Sequence, residues 1–382
     1  MKEHVINKKI RVGDIKLGEL EKKYLSQVIN SNQLSYGFFS KKFEEEIARE
    51  HGCEYAVFSN SGTSALLSAL LALKEKYKWN DGDEVIVPAL TFIATSNIVI
   101  QANMVPVFVD ADEKTYNINP SLFEEKISNK TRCIIPVHMF GLPCDMDPIL
   151  EIAKKHNLRV IEDSCETMFA VYKDKKVGSF GDFGCFSTYV AHYIVTGVGG
   201  LTITHDADLN NIVRSIINHG RNLNNKWFSF DRMGYSFRCT EFEASIGLAQ
   251  VEQKDEIIKK RRDNAHFYKE KLAGLEKFIA LPFEPEDRTH SFMMFPILVK
   301  GDERNELAAF LEKNNIETRD MPTVVGQPYY RDIFPNMRVD DFPITKNIMN
   351  KGFYIGTHQY ITEHEREYII NKFFEFYKIQ HA

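Results

Sequence analysis

From about residue 40 to about residue 200, short apolar runs rich in β-branched residues alternate with stretches in which apolar residues recur at helical spacing. The runs Glu84-Val85-Ile86-Val87-Pro88, Val105 to Asp110, Cys133 to Val137 and Arg159-Val160-Ile161-Glu162-Asp163 predict strands. Leu66 to Tyr77 predicts a helix ahead of them. Strands that are apolar along nearly their whole length, rather than at every second position, are those buried on both faces. The pattern therefore predicts an α/β fold with a largely parallel sheet covered by helices on either side.

Beyond residue 240 the pattern changes. Glu241 to Lys271 is helical in character, with Ala244, Ile246, Gly247, Leu248 and Ala249 followed by the charged run Lys259 to Asp263. A strand-like run, Ser291 to Val299, and helical stretches from Arg304 to Asn314 and from Thr362 to Tyr377 predict a smaller α+β unit. The expected division is an N-terminal arm at 1–15, a large cofactor-binding domain at 16–255 and a small C-terminal domain at 256–382.

Composition narrows the class. The 382 residues suffice for two domains at roughly 150 residues each. With 43% hydrophobic and 26% charged residues the chain reads as a soluble globular protein. The net charge of −5 comes from interspersed signs, without the basic stripe that nucleic acid requires, so no nucleic-acid partner is expected. No apolar run nears the length of a membrane span, and the charged N-terminus is followed by no apolar core, so a cytoplasmic protein without a membrane partner is expected. The six cysteines are scattered without CxxC spacing, which predicts no metal site.

Several residues carry candidate chemistry. Asp163 falls at the carboxyl end of a strand, where ligands collect in open α/β sheets, although aspartate there can equally form a turn. In Asn60 to Leu67 a loop enters a helix, so the backbone of Gly62 and Thr63 can face an anion; the plainer reading is an N-cap at Ser61 or Thr63. Phe92 follows a strand and can stack on a flat ring, or fill the core. Downstream come Gly181 to Tyr189, then Ala191-His192, then Thr196-Gly197-Val198-Gly199-Gly200.

These blocks, with Asn218-His219-Gly220-Arg221 and Gly234 to Glu241 after them, resemble the sugar aminotransferases of the DegT/DnrJ/EryC1/StrS family from about residue 10 to the C-terminus. The resemblance implies a pyridoxal-phosphate-dependent, fold-type I (aspartate aminotransferase-like) subunit that works as a homodimer with shared active sites. It implies that Gly62, Thr63 and Ser187 hold the cofactor phosphate, that Phe92 stacks on the ring, and that Asp163 pairs with the ring nitrogen. Ser236 stands where the family usually has an asparagine that reaches the neighbouring subunit's phosphate site. Glu166 stands where the aminotransferases usually have glutamine.

His192 occupies the position of the lysine that forms the Schiff base with the cofactor. Histidine cannot form that imine, but it can move protons near neutral pH, which favours the amine form, pyridoxamine phosphate. Within the family this exchange marks the sugar 3-dehydratases. Glu166 and Gly356-Thr357-His358-Gln359 resemble the branch that acts on GDP-4-keto-6-deoxymannose, while the cysteine pattern of the iron–sulfur branch acting on CDP-sugars is absent. The expected reaction removes the 3-hydroxyl of a nucleotide-linked 4-keto-6-deoxyhexose with glutamate as amino donor, in deoxysugar biosynthesis for surface polysaccharide. GDP as the nucleotide follows from resemblance alone.

Val198, where the dehydratases usually have glutamate, and Val190-Ala191 depart from that branch. Two other readings stay open: a nucleotide-sugar aminotransferase, natural or lysine-substituted, that makes a 3- or 4-amino sugar, and a non-catalytic binding or regulatory protein. Arg238 and Arg319 are candidates for a substrate phosphate or the glutamate carboxylate, or form structural ion pairs. His219 and His358 are candidates for sugar contact, or structural histidines.

Overall fold

The computed structural model describes residues 6, 8–225 and 227–379. Among them, a seven-stranded sheet runs in the order Tyr55–Ser59, Gly200–Thr204, Phe183–Ser187, Arg159–Asp163, Thr131–Ile134, Glu84–Pro88, Val105–Val109. Neighbours from Phe183–Ser187 through to Val105–Val109 are parallel. Cys185, Ile161, Cys133 and Ile86 at the centres of the four inner parallel strands are fully buried, as continuous apolar runs require, with the helix Gly62–Lys76 on one face and Met146–Lys155 on the other.

One strand is reversed. Gly200–Thr204 pairs antiparallel with both Phe183–Ser187 and Tyr55–Ser59. The segment between Ser187 and Gly200 contains no helix, and a parallel return would need one as a crossover. The sheet is therefore parallel over most of its width and mixed at one end.

A second sheet of four antiparallel strands follows the order Ile279–Ala280, Met294–Val299, Gly352–Gly356, Arg319–Asp320. Its buried face packs Phe295, Ile297 and Phe353 against Tyr268, Leu307 and Phe373 of three helices, Lys254–Leu272, Arg304–Lys313 and Glu363–Tyr377. The stretch from Glu241 to Lys271, expected to be helical, forms two helices, Glu241–Glu252 and Lys254–Leu272. At the break the Gln253 side chain donates to the Ala249 carbonyl at 2.9 Å and to Glu21 at 3.1 Å, competing with the helical backbone for that carbonyl.

Buried carboxylates tie these parts together at helix N-termini, where free N–H groups and the helix dipole favour negative charge. Glu241 accepts from the N–H groups of Gly37, Phe39 and Ser40 at 2.8, 2.8 and 2.9 Å, and from the Ser40 hydroxyl, at the start of Phe38–His51. Asp110 does the same for Pro343–Lys351, accepting from Ile344 and Thr345 at 2.9 and 2.8 Å. The N-terminal segment lies along residues 315–317, with Ile10 N–H donating to the Asn315 carbonyl at 2.8 Å. Glu241→Ala strands buried N–H groups and is expected to cost about 3 kcal/mol, read as a fall in the chemical-denaturation midpoint without change in secondary structure.

Candidate active site

The carboxyl ends of the parallel strands open into a cavity of about 370 Å³. Its floor begins with the helix Gly62–Lys76. Ser61 is the N-cap, its hydroxyl accepting from Ser64 N–H at 3.0 Å. Gly62 and Thr63 take the first helical positions, so their N–H groups have no partner within the helix, and both residues line the cavity. Gly62 sits so close to the strand Phe183–Ser187 that an added Cβ would lie 2.8 Å from Ser187 Cβ and 2.9 Å from Cys165 Sγ. Ser187 therefore lies beside the helix start, as an anion cradle needs.

Across the cavity, Asp163 is buried at the end of its strand. The Thr95 hydroxyl donates to Oδ2 at 2.8 Å, and Cys165 N–H donates to Oδ1 at 3.2 Å. Burial raises its pKa, against these two hydrogen bonds. No ion pair to Asp163 forms among the described residues. A desolvated carboxylate with open capacity at a cavity wall fits a protonated ring nitrogen. Phe92 is 61% exposed and lines the same cavity, so it is no core residue.

Glu166 also lines the cavity. Its Oε2 accepts from Phe140 N–H at 3.0 Å, and burial pushes its pKa up to about 7. The carboxyl thus changes charge near neutrality.

His192 projects from the loop between Ser187 and Gly200 and lines the cavity half-buried. Its Nδ1 lies 3.2 Å from the Tyr189 carbonyl. A carbonyl only accepts, so this contact places the proton on Nδ1 and leaves the Nε2 lone pair free. Desolvation, aided by the Arg261 charge and opposed by the Tyr189 hydrogen bond, holds the pKa at about 4. The imidazole is neutral at pH 7, and among the described residues no lysine lines the cavity.

Arg319, paired with Glu317 at 2.9 Å, brings a permanent positive charge to the cavity wall, next to Tyr354. The other candidates lie elsewhere. Ser236, His219 and Arg238 form an exposed cluster outside the cavity, with Arg238 Nη2 donating to Ser236 Oγ at 3.1 Å and 3.3 Å from His219 Nε2. His358 is buried outside the lining, its Nδ1 accepting from Tyr360 N–H at 3.3 Å and its pKa pushed down by burial to about 3. Sequence reasoning assigned no role to Thr95, Tyr189 or Tyr354; only Thr95 left a signal, its i,i+4 spacing from Thr91, whose hydroxyl lies 2.9 Å away.

The profile of the DegT/DnrJ/EryC1/StrS aminotransferase family matches residues 16–374. The chain belongs to that family. GDP-perosamine synthase of Escherichia coli O157:H7 is 36% identical over 94% of this chain and 95% of its own length. A dTDP-4-dehydro-2,6-dideoxy-D-glucose 3-dehydratase of Saccharopolyspora spinosa is 30% identical over 96% and 86%. The structure of E. coli GDP-4-keto-6-deoxy-D-mannose-3-dehydratase with bound hydrated pyridoxal phosphate matches with a TM-score of 0.88 at 27% identity, covering 97% of this chain and 100% of that one. This DegT/DnrJ/EryC1/StrS member thus has the aminotransferase-like fold of pyridoxal-phosphate-dependent, sugar-modifying enzymes, and pyridoxal phosphate is its cofactor.

Asp163→Asn removes the charge that would pair with the ring nitrogen and is expected to weaken cofactor binding about 10- to 100-fold, read by absorbance titration. The absorbance of bound cofactor is expected to show a protonation step near the Glu166 pKa of about 7, with the carboxyl protonated on the acid side. Glu166→Gln should abolish that step.

Proposed function

We propose that this protein removes the 3-hydroxyl of a nucleotide-linked 4-keto-6-deoxyhexose, with glutamate as amino donor, in deoxysugar biosynthesis for surface polysaccharide. One observation carries the reading: the cavity that suits the cofactor presents a neutral imidazole and no lysine amine among the described residues. A covalent tether is thereby lost while a proton carrier is kept.

Gly62, Thr63 and Ser187 would hold the phosphate, Phe92 would cover the ring face, and Asp163 would keep the ring nitrogen protonated. Bound as pyridoxamine phosphate, the cofactor supplies an amine that condenses with the 4-keto group and a ring that takes up an electron pair. His192 Nε2, with its lone pair free, removes a proton from the carbon next to that amine. The same imidazole, now protonated, delivers the proton to the departing 3-hydroxyl, which leaves as water. Arg319 is placed to meet an anionic group of the sugar nucleotide or of glutamate. Over a full cycle the sugar loses one oxygen, glutamate becomes 2-oxoglutarate and ammonia is released, so atoms and electrons balance.

GDP is the proposed nucleotide, because GDP-sugars appear in the names of both a relative and a structural neighbour. A homodimer with shared sites accounts for the exposed position of Ser236, His219 and Arg238. Similarity to GDP-perosamine synthases favours a second reading, transamination at carbon 4, in which an amine replaces the ketone.

Incubation with pyridoxal phosphate, glutamate and a panel of nucleotide-linked 4-keto-6-deoxyhexoses separates the two by mass spectrometry. The expected product is lighter by one oxygen, with ammonia released in equal amount; an amino sugar without ammonia would overturn the dehydratase. His192→Asn should lower turnover at least about 100-fold, and His192→Lys should gain the absorbance of an imine-bound cofactor.

A further inference from the structure

Arg261 is a fully buried arginine without a carboxylate partner among the described residues. Burying a guanidinium without a counter-charge costs several kcal/mol, so its retention calls for a compensating role. Nη2 donates to the His192 carbonyl at 2.7 Å and Nη1 to the Met293 carbonyl at 2.9 Å. The guanidinium carbon stands 5.0 Å from the centroid of the Tyr193 ring. Nε has no partner, so the side chain is committed to those two carbonyls and that ring.

The two carbonyls belong to different parts of the fold. His192 lies on the loop between two strands of the seven-stranded sheet, and Met293 directly precedes Met294–Val299 of the four-stranded sheet. Tyr193 extends the junction: its hydroxyl donates to the Glu166 carbonyl at 3.2 Å and lies 2.7 Å from Ser291 Oγ. Behind the loop, Gly13 packs so tightly that an added Cβ would come within 2.6 Å of Ala191 Cα. The peptide that carries the imidazole is thus pulled forward by Arg261 and backed by the N-terminal segment.

We propose that Arg261 is a positioning residue, which clamps the His192 peptide to the four-stranded sheet so that the imidazole keeps one pose toward the cofactor. This rests on His192 being the proton carrier. The charged and titratable groups around the imidazole are Tyr189 on its own loop, Asp163 at the end of Arg159–Asp163 with Cys165 and Glu166 just beyond it, Arg319 and Tyr354 on the four-stranded sheet, and Arg261 on the helix Lys254–Leu272. Loss of the Arg261 charge removes one influence that keeps the imidazole unprotonated, so its titration midpoint moves upward.

The test uses holoenzyme carrying isotope-labelled histidine, with the His192 signal assigned by its loss in His192→Asn. The parent should give one sharp His192 signal. Arg261→Met should broaden or split it and raise its titration midpoint, while turnover falls on the order of 10- to 100-fold with KM for the sugar unchanged. Arg261→Lys, which keeps the charge but not the paired donors, should broaden the signal, leave the midpoint in place and lose less turnover. An unchanged His192 signal and midpoint in folded Arg261→Met overturns the proposal; if that variant does not fold, an unchanged signal in Arg261→Lys overturns it. Should the parent convert no keto sugar, the dehydratase reading fails while the histidine signal still decides the role of Arg261.

Discussion

Two adjacent carboxylates at the end of Arg159–Asp163 are both removed from water, and the site depends on how differently they are satisfied. Strand alternation sends them to opposite faces. Glu162 accepts from His138 Nε2 at 3.1 Å and from the N–H groups of Gly178, Phe180 and Gly181 at 2.7, 2.6 and 2.9 Å. His138 can donate from Nε2 because its Nδ1 accepts from Cys144 N–H at 2.9 Å. That face is closed. Asp163 holds two hydrogen bonds and faces a cavity, so the same strand end that locks the loop at 178–181 leaves an unmet demand for positive charge on the other side.

The opposite pole is the start of Gly62–Lys76, where unpaired N–H groups and the helix dipole favour an anion. Close packing makes that pole possible. A Cβ at Gly200 would come 2.4 Å from Ser61 C, so the turn before Gly200–Thr204 brings that strand against the helix start only because it is glycine. On the proposed reading, a flat molecule with a phosphate at one end and a basic ring nitrogen at the other would be oriented by this arrangement before any covalent step. On the same reading, His192 and Glu166 are the groups beside it that could carry a proton.

Much of this was legible in the chain. Glu84–Pro88 and Arg159–Asp163 form as the apolar runs predicted, and Gly62, Thr63, Phe92, Asp163, Glu166, Ser187, His192 and Arg319 come together around one cavity. Tyr55–Ser59 and Gly200–Thr204 were not anticipated; the second is only five residues long and begins at the second glycine of a Gly-Gly turn, although its alternation of threonine with apolar residues is strand-like. Tyr354 was out of reach for another reason: it enters the cavity through pairing with Arg319, a contact between strands that no local pattern encodes. His358, a candidate for sugar contact or a structural histidine, is buried and does not line the cavity. Arg261 stands in the charged run Lys259 to Asp263, where no local pattern marks it as the one that is buried against the His192 carbonyl.

If, as proposed, no lysine amine holds the cofactor, as none among the described residues lines the cavity, the protein's hold on that cofactor changes in kind. On that reading retention would rest on a helix start, a carboxylate and a ring contact, so occupancy would follow mass action and track the free cofactor concentration. The stability gained from binding follows the same law. Cofactor supply would then be a dial on both the amount of folded protein and its working fraction.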